Sequence, residues 1–289
     1  MPTKLLCALL AFLLFALSAC RTAQPTASDQ APPTRAAIAT ATATPVPEKV
    51  AFEIKKFERK SGQCKDEGGD CASLKLQFPE ITAAPSPAVQ EALNQAVRNV
   101  ILANVGENAR PFANADALAK DFLTQYKTFK KDFPDAPGGW TLNREVNIVY
   151  NDHNILSLEA NEDQYMGGAH PNANSTYSNF NLTTGQSLKL SDLLVKGYEA
   201  KLNAVAEKEF RKARGLAAGA KLDAEGFNFD DNRFRVNQNF AVKKEGLAFF
   251  FNSYEVAPYA AGPTDFVVSY GSIKDLIKPD GLLAAALGK

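Results

Sequence analysis

The chain has 289 residues, with 32 basic and 32 acidic side chains and a formal net charge of zero. That balance leaves no basic field to hold nucleic acid, so a nucleic-acid partner is not expected. Only two histidines, His153 and His170, and four cysteines are present, which leaves little material for a metal centre, and neither a metal nor a cofactor is expected.

Met1 to Thr3 lead into one cation, Lys4, and then an apolar run from Leu5 to Leu17. The run has the length of a signal-peptide core and falls short of the roughly 20 residues that span a bilayer. It closes on Leu17-Ser18-Ala19-Cys20, which resembles the lipobox of bacterial lipoproteins. The resemblance implies cleavage after residue 19 and acylation of Cys20, giving an anchor stable when two or more chains are attached. Arg21 follows Cys20, so in a cell with two membranes the outer one is expected to carry the anchor. Residues 20–48 are then the lipidated cysteine and a tether rich in Ala, Thr and Pro, with prolines at 25, 32, 33, 45 and 47. Such a segment reaches on the order of 30 Å as coil and about 85 Å as extended polyproline.

Cys64 and Cys71 are the cysteines left for the folded part. The turn between them is polar and contains Gly68 and Gly69, which are free to take positive φ, so a disulfide is expected. A two-cysteine metal site is the rival, and no His or Cys lies near enough in sequence to complete it.

Strands are expected at 50–58 and 72–78, flanking the cysteine turn, with Leu74, Leu76 and Phe78 on one face. Ser86-Pro87 is an N-cap and first-turn pair opening a helix with Val89, Leu93, Val97, Val100 and Ile101 at helical spacing. A second helix is expected from Asn114 to Phe133, its stripe of Leu118, Phe122, Tyr126, Phe129 and Phe133 facing a core. Trp140, Leu142, Val146, Ile148 and Tyr150 share one parity, and Leu156, Leu158 and Ala160 continue it after a turn at 151–154, which predicts a long hairpin. Strands at 174–182 and 187–190, a helical turn at Ser191-Asp192 and a helix from Tyr198 to about Gly215 follow. Strands at 239–242, 247–251 and 264–270 and a helix from Ser272 to Lys278 complete the chain. Clustered strands and helices without regular alternation predict an α+β fold with mostly antiparallel sheets and two subdomains, 49–165 and 166–289.

No Gly-x-Ser-x-Gly elbow, Walker loop, dinucleotide fingerprint or His-Glu-x-x-His helix occurs in the sequence, so no standard catalytic constellation is legible. Glu159, Glu162, Asp163 and Glu255 are available for a carboxylate pair, which keeps a wall-glycan hydrolase open as the alternative function. Two loops stand out: Tyr165-Met-Gly167-Gly168-Ala-His170-Pro171-Asn172, and 251–262, where Tyr254, Glu255 and Tyr259 flank Pro258. Gly167, Gly168, His170, Tyr254, Glu255 and Tyr259 are the candidate ligand-binding residues, because stiff loops on a rigid scaffold commonly carry recognition.

Gly167-Gly-Ala-His170-Pro, Tyr177, Asn179-Phe-Asn-Leu-Thr-Thr-Gly185, Leu188-Lys-Leu-Ser-Asp-Leu193, Gly246-Leu-Ala-Phe-Phe-Phe251 and Tyr254-Glu-Val-Ala-Pro-Tyr-Ala-Ala-Gly262 together resemble the RsiV-like domain. Ser253 departs from the proline expected there. Residues 74–102, with the Leu93-Asn94 helix, look like the companion domain that precedes it in RsiV and PdaC-like proteins. The resemblance implies extracytoplasmic binding, of lysozyme in RsiV itself. The cytoplasmic segment and membrane span of an anti-sigma factor and the metal motif of a deacetylase are not expected here, so neither activity carries over. The expected function is a non-catalytic envelope binding module for lysozyme, another wall-directed protein or a wall glycan.

Overall fold

Two helices packed against one face of a strand ladder organise the first half of the fold. The computed structural model describes residues 48–62, 64, 69–104 and 110–287. The expected signal segment, Cys20, most of the expected tether and Gly68 lie outside these residues. Strands β1 (Ala51–Gly62), β2 (Cys71–Ala83), β3 (Trp140–Asp152), β4 (Ile155–Tyr165) and β5 (Asn172–Asn181) form a sheet in that spatial order. All neighbours are antiparallel except β2 and β3. That pair is parallel because helices α1 (Pro87–Ile101) and α2 (Ala115–Asp132) intervene and return the chain to the edge it left.

Both helices begin where side chains supply the missing acceptors. Ser86 Oγ accepts from the Val89 amide at 3.3 Å and Asn114 Oδ1 from the Ala117 amide at 2.8 Å. Asn94 clamps α1 to β2, accepting from the Ile81 amide at 2.8 Å and donating to its carbonyl at 3.0 Å. The apolar stripes then meet the sheet: Val89, Leu93, Val97, Ile101, Leu118, Phe122 and Tyr126 bury against Leu74, Leu76, Leu142, Val146, Leu156 and Leu158. The expected stripe on α2 ends early, since Phe133 caps the helix and is 59% exposed.

The second region contains α3 (Leu190–Leu193), α4 (Glu199–Arg214), an antiparallel sheet of β6 (Phe240–Val242), β7 (Gly246–Phe251) and β8 (Thr264–Ser269), and a short α5 (Leu282–Ala286). Phe210 of α4 is fully buried, with the rings of Phe227, Phe229, Phe234, Phe251 and Phe266 all within 6.1 Å of it. Such an aromatic cluster combines a large buried area with favourable edge-to-face geometry. The expected α+β fold, two regions and mostly antiparallel pairing are all present.

Several expectations change. Residues 187–190 form no strand: Ser187 makes an isolated bridge to Phe180 before the chain turns into α3. The expected helix from Ser272 is a 3-10 turn at Tyr270–Ile273 followed by further turns. The parity of β3 breaks at a bulge between Ile148 and Tyr150, which sets Tyr150 opposite Ser157. Ile148 therefore packs on the helix-side core while Tyr150 packs on the core of the second region. The large sheet continues past residue 165 to Asn181.

The Cys64–Cys71 disulfide is formed, with the Cα atoms 5.1 Å apart. A left-handed residue beside it is Gly62, at φ 89°. Gly139 is required for another reason: a Cβ there would lie 2.1 Å from the Cys71 carbonyl oxygen, where the parallel β2 and β3 begin. Gly246 is constrained in the same way, at 2.2 Å from the Val268 carbonyl oxygen.

Candidate ligand-binding surface

Strand β5 would expose a row of backbone groups along its outer edge; two asparagines of the second region cover it, and a third, on β5 itself, reaches the backbone of β6. Asn239 Oδ1 accepts from the Tyr177 amide at 2.7 Å and its Nδ2 donates to the Ser175 carbonyl at 2.8 Å. Asn252 makes the same paired contact to the Ser175 amide and carbonyl, at 2.8 and 3.0 Å. Buried Asn179 works in the other direction: its Oδ1 accepts from Ser157 Oγ and the Val242 amide, and its Nδ2 donates to the Phe240 carbonyl. A side-chain amide carries one acceptor and two donors in a peptide-like arrangement, so each substitutes for a strand neighbour and satisfies the edge.

These contacts fix the loop after β7 against the loop before β5. In the second loop, Gly167 and Gly168 sit at φ 90° and 106°, and Tyr165 Oη donates to the Gly168 carbonyl at 3.1 Å. Only residues without a Cβ take those angles without strain. The bend delivers His170 onto Tyr259, with ring centroids 3.7 Å apart and planes 17° from parallel. Tyr259 Oη also donates to the Pro171 carbonyl at 2.9 Å. Tyr254 completes the group, 5.5 Å from Tyr259 by ring centroid, with its Oη 3.4 Å from His170 Nε2. It is 63% exposed and holds φ at 68°, a strained value for a residue with a side chain. The structure thus brings His170, Tyr254 and Tyr259 into one aromatic cluster, with Tyr254 exposed and the other two rings half-buried.

Glu255 supports the loop instead of facing outward from the cluster. Its Oε2 accepts from the Asn252 amide at 2.9 Å and its Oε1 from Asn237 Nδ2 at 2.6 Å. Arg214 holds the far end, donating to the Ala261 carbonyl at 2.7 Å. The three carboxylates of β4 do not form one patch. Strand alternation sends Glu162 to the helix side, where it pairs with buried Arg144 at 2.6 Å. Glu159 and Asp163 occupy the opposite face, and Glu159 lies beside Tyr177. Burial, then the Glu159 charge, raises the Tyr177 hydroxyl well above the usual tyrosine range.

A groove escaped the sequence reading. It encloses about 820 Å³ on the large sheet's helix-free face, and Phe250 and Pro263 of the second region wall it. Its floor includes Lys75, Gln77, Asn143, Glu145, Asn161, Asp163 and Ser175. Period-2 alternation in β2 to β5 places these polar residues on one face, but strand order and register, which alternation does not specify, bring them side by side. Among the described residues, no three His, Cys, Asp or Glu side chains converge as a metal site would require.

Residues 66–173 match the family described as Deacetylase PdaC, and residues 191–271 match the family described as a protein of unknown function, DUF3298. The chain carries a PdaC-type domain followed by a DUF3298 domain. The PdaC-type match agrees with the companion domain expected from residues 74–102. The peptidoglycan-N-acetylmuramic acid deacetylase PdaC of Bacillus subtilis strain 168 is 26% identical over 171 residues, which cover 56% of this chain and 36% of that protein. The chain therefore spans little more than a third of that relative. A DUF3298 family member from Bacteroides fragilis NCTC 9343 has the same fold, with a TM-score of 0.67 at 17% identity over 83% of this chain and 99% of that one. A DUF3298 protein from Pseudomonas aeruginosa PAO1 gives 0.59 at 18% identity over 80% and 95%. In this chain the aromatic cluster joins the last residues of the PdaC-type region to the DUF3298 domain.

Proposed function

We propose that the protein is a cell-wall-associated envelope lipoprotein that binds without turnover, and that the His170, Tyr254 and Tyr259 cluster is its contact surface. The observation that supports this reading is the convergence of three rings from two separate loops, held by hydrogen bonds, with Tyr254 exposed at the surface. Rigid aromatic groups with polar tips supply contact area at low entropic cost. The partner is lysozyme or another wall-directed protein. The extracytoplasmic setting draws support from the disulfide and from the relative's action on peptidoglycan. Cys20 is the acyl acceptor.

With zero net charge overall, attraction to a cationic partner depends on local carboxylates, and exposed Asp163 is placed to contribute. Such steering weakens as salt rises. The test is binding of the purified protein to lysozyme at two ionic strengths, repeated for His170→Ala and Tyr254→Ala. Salt-sensitive binding lost in folded variants supports the surface. No binding by the parent protein removes lysozyme as the partner, and unchanged binding by both variants moves the site elsewhere. Release of reducing ends from purified wall glycan would overturn the non-catalytic reading in favour of a hydrolase.

A further inference from the structure

The groove on the helix-free sheet face has a regular construction. Strand register places Glu58, Lys75, Asn143, Asp163 and Ala173 side by side across all five strands, each paired with the next. Two residues along each strand, Lys56, Gln77, Glu145, Asn161 and Ser175 make a second parallel row on the same face. With neighbouring strands about 4.8 Å apart, each row is roughly 19 Å long. Four of the five side chains in the second row bond one another: Gln77 donates to Glu145, and Ser175 Oγ donates to Asn161 Oδ1 at 2.6 Å. In the first row the Asn143 and Asp163 side chains have no hydrogen-bond partner among the described residues. Phe250 and Pro263 stand along the groove as an apolar wall.

We infer that this groove is a binding site for an extended oligosaccharide, lying across the strands against the Asn143 and Asp163 row. Hydroxyl groups donate and accept through the same atom, so a chain of them suits a floor where the Lys75 ammonium, the Asn143 amide and the Asp163 carboxylate stand side by side. The apolar wall offers a surface for the C–H faces of sugar rings, while Lys56 and Lys75 against Glu58, Glu145 and Asp163 keep the floor close to neutral. A peptide, with donors and acceptors fixed on separate atoms, would match the acceptor-rich centre less completely. The inference deepens the proposed wall function by naming a glycan site, and its residues are separate from the aromatic cluster.

Calorimetric titration of the full-length protein with a β-1,4-linked N-acetylglucosamine tetramer tests it, alongside Asn143→Ala, Asp163→Ala and Tyr254→Ala. Loss of one hydrogen bond to a sugar, or of one made by a charged group, weakens binding by about tenfold. The expected result is binding by the parent protein and by Tyr254→Ala, with about tenfold weaker binding in each groove variant. Thermal melting of each variant separates lost contacts from lost folding. The isosteric Asp163→Asn variant keeps the shape and removes the charge, so weakened binding there also supports direct contact. Absence of tetramer binding, equal binding by parent and groove variants, or preference for a wall stem peptide over the tetramer would overturn the assignment. Lysozyme binding that depends on Tyr254 would persist under any of those outcomes, so the two readings fail separately.

Discussion

Replacing Arg144 by alanine should destabilise the protein by about 3 kcal/mol. Its guanidinium is buried, 4% exposed, and makes three contacts: Nε donates to Glu162 Oε2 at 2.6 Å, and Nη1 to the carbonyls of Ile101 at 3.2 Å and Ala103 at 2.6 Å. Those carbonyls stand at the C-terminal end of α1, where the helix leaves its acceptors without internal donors and carries partial negative charge. The arginine thus ties the helix end to the centre of the sheet. Removing one partner of a buried ion pair costs about 3 to 5 kcal/mol. The Glu162 side chain is 27% exposed, so water recovers part of its solvation and the lower end applies. For a domain of this size the melting temperature should fall by about 6 to 12 °C. Urea denaturation of Arg144→Ala and of the double variant Arg144→Met with Glu162→Gln provides the assay. The double variant leaves no orphaned charge and should cost less than the single one. A single-variant loss below about 1 kcal/mol, or an equally costly double variant, would refute the argument that an uncompensated buried group dominates. The result bears on the groove, because Arg144 and Glu162 are directly paired in the same β3–β4 register that aligns Asn143 with Asp163 on the other face.

Cys64→Ser should lower stability by about 2.5 kcal/mol in the chain-entropy treatment of so short a loop, read by denaturant titration; free thiols at Cys64 and Cys71 in the oxidised parent protein would contradict the pairing. Stability should hold up to about pH 10 and then fall as pH rises, because burial raises the Tyr270 hydroxyl above its ordinary value of 10.0 and the unfolded chain loses that proton first. One such tyrosine contributes a slope of up to about 1.4 kcal/mol per pH unit. Tyr270→Phe should lose about 1 kcal/mol at neutral pH with the bond to the Lys243 carbonyl, and its alkaline decline should be shallower. An unchanged alkaline slope would assign the decline to other groups.

Local chemistry made much of the chain legible. Ser86-Pro87 and Asn114 marked helix starts because a cap depends on one side chain and the backbone a few residues away. Alternation in β2 and β4 identified the buried faces, and Cys64 and Cys71 were few and close enough to name their pairing. Gly167, Gly168 and the tyrosines of 254–259 signalled stiff loops through their backbone requirements. The tertiary structure alone decided what depends on distant neighbours. A single extra residue at the β3 bulge redirected Tyr150, and the cross-strand register gave Glu162 the buried Arg144 as its partner. Asn179, Asn239 and Asn252 gave no periodic signal, since an amide covering a strand edge is defined by the strand it covers. The groove rows arise the same way: alternation gives each strand its polar face, but side-by-side placement of Lys75, Asn143 and Asp163 is set by the parallel register of β2 with β3, two helices later in the chain, and by the bulged register of the β3–β4 hairpin.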